Sequence, residues 1–226
     1  MSSNALFQIY FDDITKVELS PVAIPIDNSY GLIKKITPAF ENHVIKNIFD
    51  KKLYGDAERV GVFSWAFEKK NWYKLADLDL NQSEDVLTFY WHAGKTVQIY
   101  KLFEKSHPGI MDLSYRILKE AGYDIDVENI ETPPIYQNAH ITKTEIYKRY
   151  VDEMLTPVMN AMFHGHNNLL MENLFGNSYY KIYDNFDTEK MTQITSKPYY
   201  TYHTFICETL PALYFALNPE ITIKII

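Results

Sequence analysis

Leu6-Phe7-Gln8-Ile9-Tyr10-Phe11, closed by Asp12-Asp13, is the segment on which the fold turns. Six mostly apolar residues rich in aromatic and β-branched types are too few for a buried helix. They fit a buried strand whose end the two acids mark. Val60-Gly61-Val62-Phe63-Ser64-Trp65-Ala66-Phe67 is a second segment of this kind, and Asp85-Val86-Leu87-Thr88-Phe89-Tyr90-Trp91 a third. Between the first two lies a proline-punctuated stretch with Pro21 and Pro25. There Thr37-Pro38 predicts a helix start, with a capping residue ahead of a proline in the first turn. Phe40, Val44, Ile45, Ile48 and Phe49 share one face of that helix, and Gly55-Asp56 ends the segment.

Further along, His107-Pro108 opens a helix to Ala121, with Gly122 as its stop and Ile110, Leu113, Ile117 and Ala121 facing inward. Thr142-Lys143-Thr144-Glu145 reads as a capping box before a long helix that Pro157 should kink. Gly176 to Pro198 reads as tyrosine-rich loops. A last helix spans about Thr204 to Leu217 around Pro211, and Ile221–Ile226 reads as a terminal strand. Strands alternating with helices predict one α/β domain over residues 1–226, with a mixed, largely parallel sheet flanked by helices. Ligands of such sheets sit beyond the carboxyl ends of the strands.

Composition narrows the function. The chain has 226 residues, 29 acidic against 22 basic, and a formal charge of −7. That balance argues against a nucleic-acid partner, which would need a basic surface to displace counterions. Only Arg59, Arg116 and Arg149 are arginines, so a site gripping phosphate by several guanidinium forks is excluded, and lysines, backbone amides or a metal would do that job. No apolar run reaches the ~20 residues of a membrane span. The first residues, Met1-Ser2-Ser3-Asn4-Ala5, lack the pattern of a signal peptide. Cys207 is the only cysteine, so no internal disulfide forms and the cytoplasm is the expected compartment. The 18 tyrosines and 3 tryptophans supply flat amphipathic rings suited to sugar and base faces.

Four local patterns carry chemistry. Asp77-Leu78-Asp79 and Asp124-Ile125-Asp126 each place two carboxylates one residue apart, which on an extended segment point to the same side and suit a hard divalent cation. Asp77 and Asp79 are the preferred metal ligands, for Mn²⁺ or Mg²⁺. His164-Gly165-His166 lacks a carboxylate partner nearby and reads as exposed imidazoles. His203 and Cys207 share a helix face, which admits a thiolate nucleophile, although a lone cysteine among Phe205, Ile206 and Leu210 reads first as a small buried hydrophobe. Glu208 stands on the same apolar stretch. A carboxylate there either reaches the surface or is held inward for a purpose. No glycine-rich phosphate loop, nucleophile elbow or His-Glu-x-x-His motif occurs.

Four segments together resemble GT-A-type bacterial glycosyltransferase domains of capsule and lipopolysaccharide biosynthesis. Phe7-Gln8-Ile9-Tyr10-Phe11 is similar to their first strand. Val60-Gly61-Val62-Phe63-Ser64-Trp65 is similar to the strand that reads Ile-Gly-Leu-x-His-Tyr-Arg-Arg in that family. Asn138-Ala139-His140-Ile141-Thr142-Lys143 through Tyr150 resembles their Asn-Met-Phe-Ile-Met-Lys strand and following helix. Phe205-Ile206-Cys207-Glu208-Thr209-Leu210 resembles their Gly-Phe-Leu-x-Glu-Arg-Leu helix. The order agrees across residues 6–217. Ser64-Trp65-Ala66 and Thr209 depart from the family's His-Tyr-Arg and Glu-Arg-Leu. The resemblance implies a GT-A-like, Rossmann-like domain that transfers a sugar from a nucleotide-sugar to a glycan or other hydroxyl acceptor. On it, Tyr10 stacks on the base, Trp65 lines the sugar site, and Glu208 orients the acceptor or serves as general base. The departures keep open an inactive carbohydrate-binding or protein-interaction module on the same fold.

Overall fold

In the computed structural model, which describes residues 4–28, 38–71, 73–89, 96–178, 188–189, 192 and 197–226, a six-stranded sheet runs through the molecule with helices packed on it. The strands are β1 (Asn4–Tyr10), β2 (Ile24–Asp27), β3 (Arg59–Ser64), β4 (Val86–Thr88), β5 (His140–Lys143) and β6 (Ile223–Ile225), in the spatial order β2-β1-β3-β5-β4-β6. β1 pairs parallel with both β2 and β3, and β4 pairs parallel with β6. β5 is antiparallel to both of its neighbours, β3 and β4. The sheet is therefore mixed and mostly parallel, as the alternation of elements predicts.

Side-chain alternation along β1 builds two layers. Ala5, Phe7 and Ile9 enter the larger core, with Val60 and Val62 of β3, while Leu6 enters a smaller one with Phe63. Gln8 on that second face is fully buried, and its amide is used at both ends: Oε1 accepts from the Ser20 amide at 2.6 Å and Nε2 donates to the Ser64 carbonyl at 3.4 Å. Gly61 is required by space, since a Cβ there would lie 2.7 Å from the Phe63 ring.

The helices are α1 (Asp13–Lys16), α2 (Glu41–Asp50), α3 (Phe67–Asn71), α4 (Ile99–Ser106), α5 (Ile110–Glu120), α6 (Thr144–Tyr150), α7 (Thr156–His164), α8 (Asn168–Leu174) and α9 (Tyr202–Leu217). A π-helical turn, Val151–Leu155, joins α6 to α7. Pro157, where the sequence predicts a kink, follows that turn in the first turn of α7. Pro157 has no amide to give the Glu153 carbonyl four residues back, and the Tyr123 hydroxyl donates to that carbonyl instead. α9 is buried almost throughout and carries Pro211 inside it.

Several boundaries differ from the sequence reading for local physical reasons. The helix expected from Pro38 starts at Glu41, with Phe40 before it at φ 46° and ψ −122° and no side-chain cap; Thr37 lies outside the described residues. The expected capping box at Thr142–Glu145 does not form: Thr142 and Lys143 belong to β5, and the Thr144 hydroxyl donates to the Ala57 carbonyl. The helix expected from His107 begins at Ile110, after α4, a helix not expected from the sequence, and Gly109 joins the two at φ 91°. Gly122, at φ 98°, ends α5 as expected. β2 is an edge strand, where Pro25 costs no ladder hydrogen bond. Of the strand expected over residues 85–91, Val86–Thr88 forms β4, while Tyr90 and Trp91 lie outside the described residues, as does most of the expected loop region 176–198.

Candidate functional site

The chain goes from β1 outward to β2 and then back across to β3 on the other side of β1. In a sheet of this kind such a reversal marks the carboxyl ends of β1 and β3 as the expected ligand crevice. Tyr10 and Trp65 stand at those two ends. Ile9 pairs with Ser64, and the Trp65 amide donates to the Ile9 carbonyl at 2.9 Å, so Tyr10 and Trp65 are the next cross-strand neighbours. Both are half-buried. A lysine lies over each ring: Lys16 of α1 is 5.4 Å from the Tyr10 centroid and Lys69 of α3 is 5.5 Å from that of Trp65. Lys69 also pairs with Glu18 at 2.8 Å, tying α3 to the turn after α1.

Glu208 is carried by α9, whose buried residues join the larger core with those of α2. Beside it stands Glu41, the first residue of α2, and Lys70 of α3 acts on both carboxylates. Glu208 and Glu41 keep only a partial opening to solvent. Burial pushes the Glu208 carboxyl up to about 8, and the charge of Glu41 adds to this, while Lys70 and a hydrogen bond with Thr204 oppose it. Burial likewise raises Glu41. Two raised carboxyls beside one lysine are the kind of perturbed cluster that functional sites concentrate. Sequence reasoning found Glu208 and missed Glu41, whose only local signal is its place in the first turn of a helix.

Backbone strain gathers nearby. The segment that enters β5 carries Gln137 at φ 52° and Asn138 at φ 56°, and Phe40 precedes Glu41 at φ 46°. The Asn138 amide donates to Asn42 Oδ1 of α2 at 3.1 Å, which joins the β5 entry to the start of α2. Asn138 is buried, and its own Oδ1 meets no partner among the described residues.

Asp77 and Asp79 are not brought to this crevice. Both are exposed, and Asp77 ends a 3₁₀ turn (Leu75–Asp77), so the two do not lie on one extended segment. The two oxygens of Asp79 accept from the Asn81 amide at 3.0 Å and from Gln82 Nε2 at 2.7 Å. The Gln82 carbonyl in turn binds Arg59, at the opposite end of β3. Asp126 is likewise engaged in its own turn, with the amides of Glu128 and Asn129. Among the described residues no three His, Cys, Asp or Glu side chains are grouped to hold a metal. The donor set therefore does not fit the divalent cation that Asp77 and Asp79 suggest.

His164 and His166 are exposed. Cys207 is fully buried, and burial pushes its thiol far above the ordinary range. His203 stacks against Phe163 at 5.1 Å, meets Thr201 Oγ1 at 3.0 Å, and is held down to about 3. That environment opposes an activated thiolate. No protein-family model matches the chain, and neither a curated protein nor a solved structure matches it. No helix among the described residues is long and apolar enough to cross a membrane.

Proposed function

We propose that this protein is a GT-A-like glycosyltransferase that binds a nucleotide-sugar across the β1/β3 crevice and transfers the sugar to an acceptor hydroxyl. The observation that carries the reading is the pairing of Tyr10 and Trp65 as adjacent rings at the chain reversal, with a lysine over each. Tyr10 stacks on the base and Trp65 packs against the sugar ring. Glu208 takes the proton of the acceptor hydroxyl as that oxygen bonds the anomeric carbon, and the bond from that carbon to the diphosphate oxygen breaks. The neighbouring charge of Glu41 makes Glu208 a stronger base, and a carboxylate raised towards the working pH suits this role. A thermal-shift panel of nucleoside diphosphates, followed by donor hydrolysis and transfer assays, tests the reading. Transfer whose kcat/KM rises with pH to a plateau above about 8 supports it. If no nucleotide raises the melting temperature, the reading is discarded.

A second reading keeps the fold without catalysis, as a carbohydrate-binding or protein-interaction module. Ser64-Trp65-Ala66, without the family's imidazole and guanidinium, favours it, as does the distance of Asp77 and Asp79 from the crevice. Glycan-array binding with no turnover of any donor distinguishes it.

A further inference from the structure

We propose that Lys16 and Lys69 neutralise the diphosphate of the donor, in the place of a divalent cation, so that nucleotide binding to this protein is independent of metal. The inference rests on the crevice being a nucleotide-sugar site and goes beyond that reading by naming what holds the phosphates.

Three facts converge. The chain carries an acidic excess of seven charges, yet the two helices that leave the crevice, α1 and α3, both place lysines at its mouth. Lys16 and Lys69 stand over the very rings that would receive the base and sugar, so a nucleotide lying on those rings brings its phosphates within the sweep of both ammonium groups. Ring stacking is a weak hold for an exposed lysine, and a phosphate oxygen offers a charge-assisted hydrogen bond instead. Among the described residues no three carboxylate, imidazole or thiol side chains are grouped to hold a metal. Asp79 is committed to Asn81 and Gln82, and Gln82 in turn binds Arg59 at the opposite end of β3. Asp12, at the end of β1, spends one oxygen on the Thr15 amide at 2.7 Å as the cap of α1.

Glu18 gives the arrangement a latch. It holds Lys69 at 2.8 Å in the free protein, and an entering diphosphate competes with it for that ammonium. Lys69 is 56% exposed and Glu18 36%, so the pair can open without disturbing the core.

The test is calorimetric titration with uridine, UDP, GDP, ADP and CDP, in EDTA and again in excess Mn²⁺. The expected result is a diphosphate that binds with the same affinity, within about twofold, in both media and weakens as salt is added. Lys16→Ala and Lys69→Ala should each weaken that diphosphate about tenfold, with Lys69→Arg retaining it, because each removes one charge-assisted contact. Glu18→Gln should tighten it by releasing Lys69. Circular dichroism confirms that these surface variants fold. The proposal is overturned if Mn²⁺ tightens the diphosphate tenfold or more, and equally if binding is metal-independent but indifferent to both lysine variants. In those two cases the nucleotide-sugar reading survives. If no diphosphate binds in either medium, that reading falls and takes this one with it.

Discussion

Replacing Glu208 by glutamine removes one charge and leaves the side chain's shape, and the pH dependence of stability reports what that charge does. In the unfolded chain the carboxyl titrates near 4.5, whereas burial and Glu41 raise it to about 8 in the folded protein. Below pH 4.5 the group is neutral in both states and costs nothing. As pH rises from 4.5 towards 8 the unfolded chain ionises while the folded one holds its proton, so the wild type loses stability throughout that window. Above 8 the loss is complete. The full displacement corresponds to a ceiling of roughly 5 kcal/mol at ~1.4 kcal/mol per unit. The partial opening of Glu208 to water screens that field, and about 2 kcal/mol of destabilisation by alkaline pH is expected. Glu208→Gln lacks the titrating group, so at pH 8.5 it should be more stable than the wild type by that amount. At pH 4.5 the two should coincide. For a chain of this length the gain is a rise of about 4–8 °C in Tm. Urea denaturation at half-unit pH intervals measures the difference directly. Glu41→Gln supplies an internal control, since removing its charge should move the titration of Glu208 towards acid. A difference between wild type and Glu208→Gln that does not change from pH 4.5 to 8.5 would refute the burial and coupling described for this pair.

Three further outcomes are expected. Tyr123→Phe leaves the Glu153 carbonyl without the donor that Pro157 cannot supply, and should cost about 1–2 kcal/mol in urea unfolding; in a Pro157→Ala background, where an amide is restored, the same substitution should cost less, and equal costs would dismiss the compensation. His140 and His203 are buried and held down to about 3, so the stability they contribute is present above the unfolded value near 6.5 and lost as pH falls from there towards 3. Unfolding free energies at pH 7, 5 and 4 should fall more steeply for the wild type than for His203→Phe. Native Cys207 should react with iodoacetamide no faster than global unfolding permits, and rapid labelling would restore the thiolate nucleophile as a candidate.

Local composition carried much of this fold and the long-range partners carried the rest. β1 and β3 are legible because both of their faces are buried, which demands short continuous runs of Phe, Ile and Val. Placing Tyr10 and Trp65 at strand ends was also open to sequence, because ring residues there border polar punctuation. β2 was hidden by Pro25, which suits an edge position and suppresses the strand signal elsewhere. Thr142–Glu145 carries the residue spacing of a helix cap, but pairing with β3 and β4 takes its first two residues into the sheet. Glu41 had no signature of its own, because its neighbours Lys70 and Glu208 are 29 and 167 residues away in sequence. The site's acids are a tertiary property, whereas its rings are a local one.

Arg59 closes the other rim of the sheet. Its guanidinium is almost wholly buried and ends on the carbonyls of Gln82 and Glu84, both at 2.6 Å, while Asp85 joins Lys143 at 2.9 Å and the Thr222 amide at 2.9 Å. Strands β3, β4, β5 and β6 are thus riveted together at their base. The opposite rim has no such buried guanidinium tie among the contacts described above, and there the exposed Glu18–Lys69 pair links α3 to the turn after α1. Grafted loops or a new chain break are best tolerated up there, because the foundation does not yield.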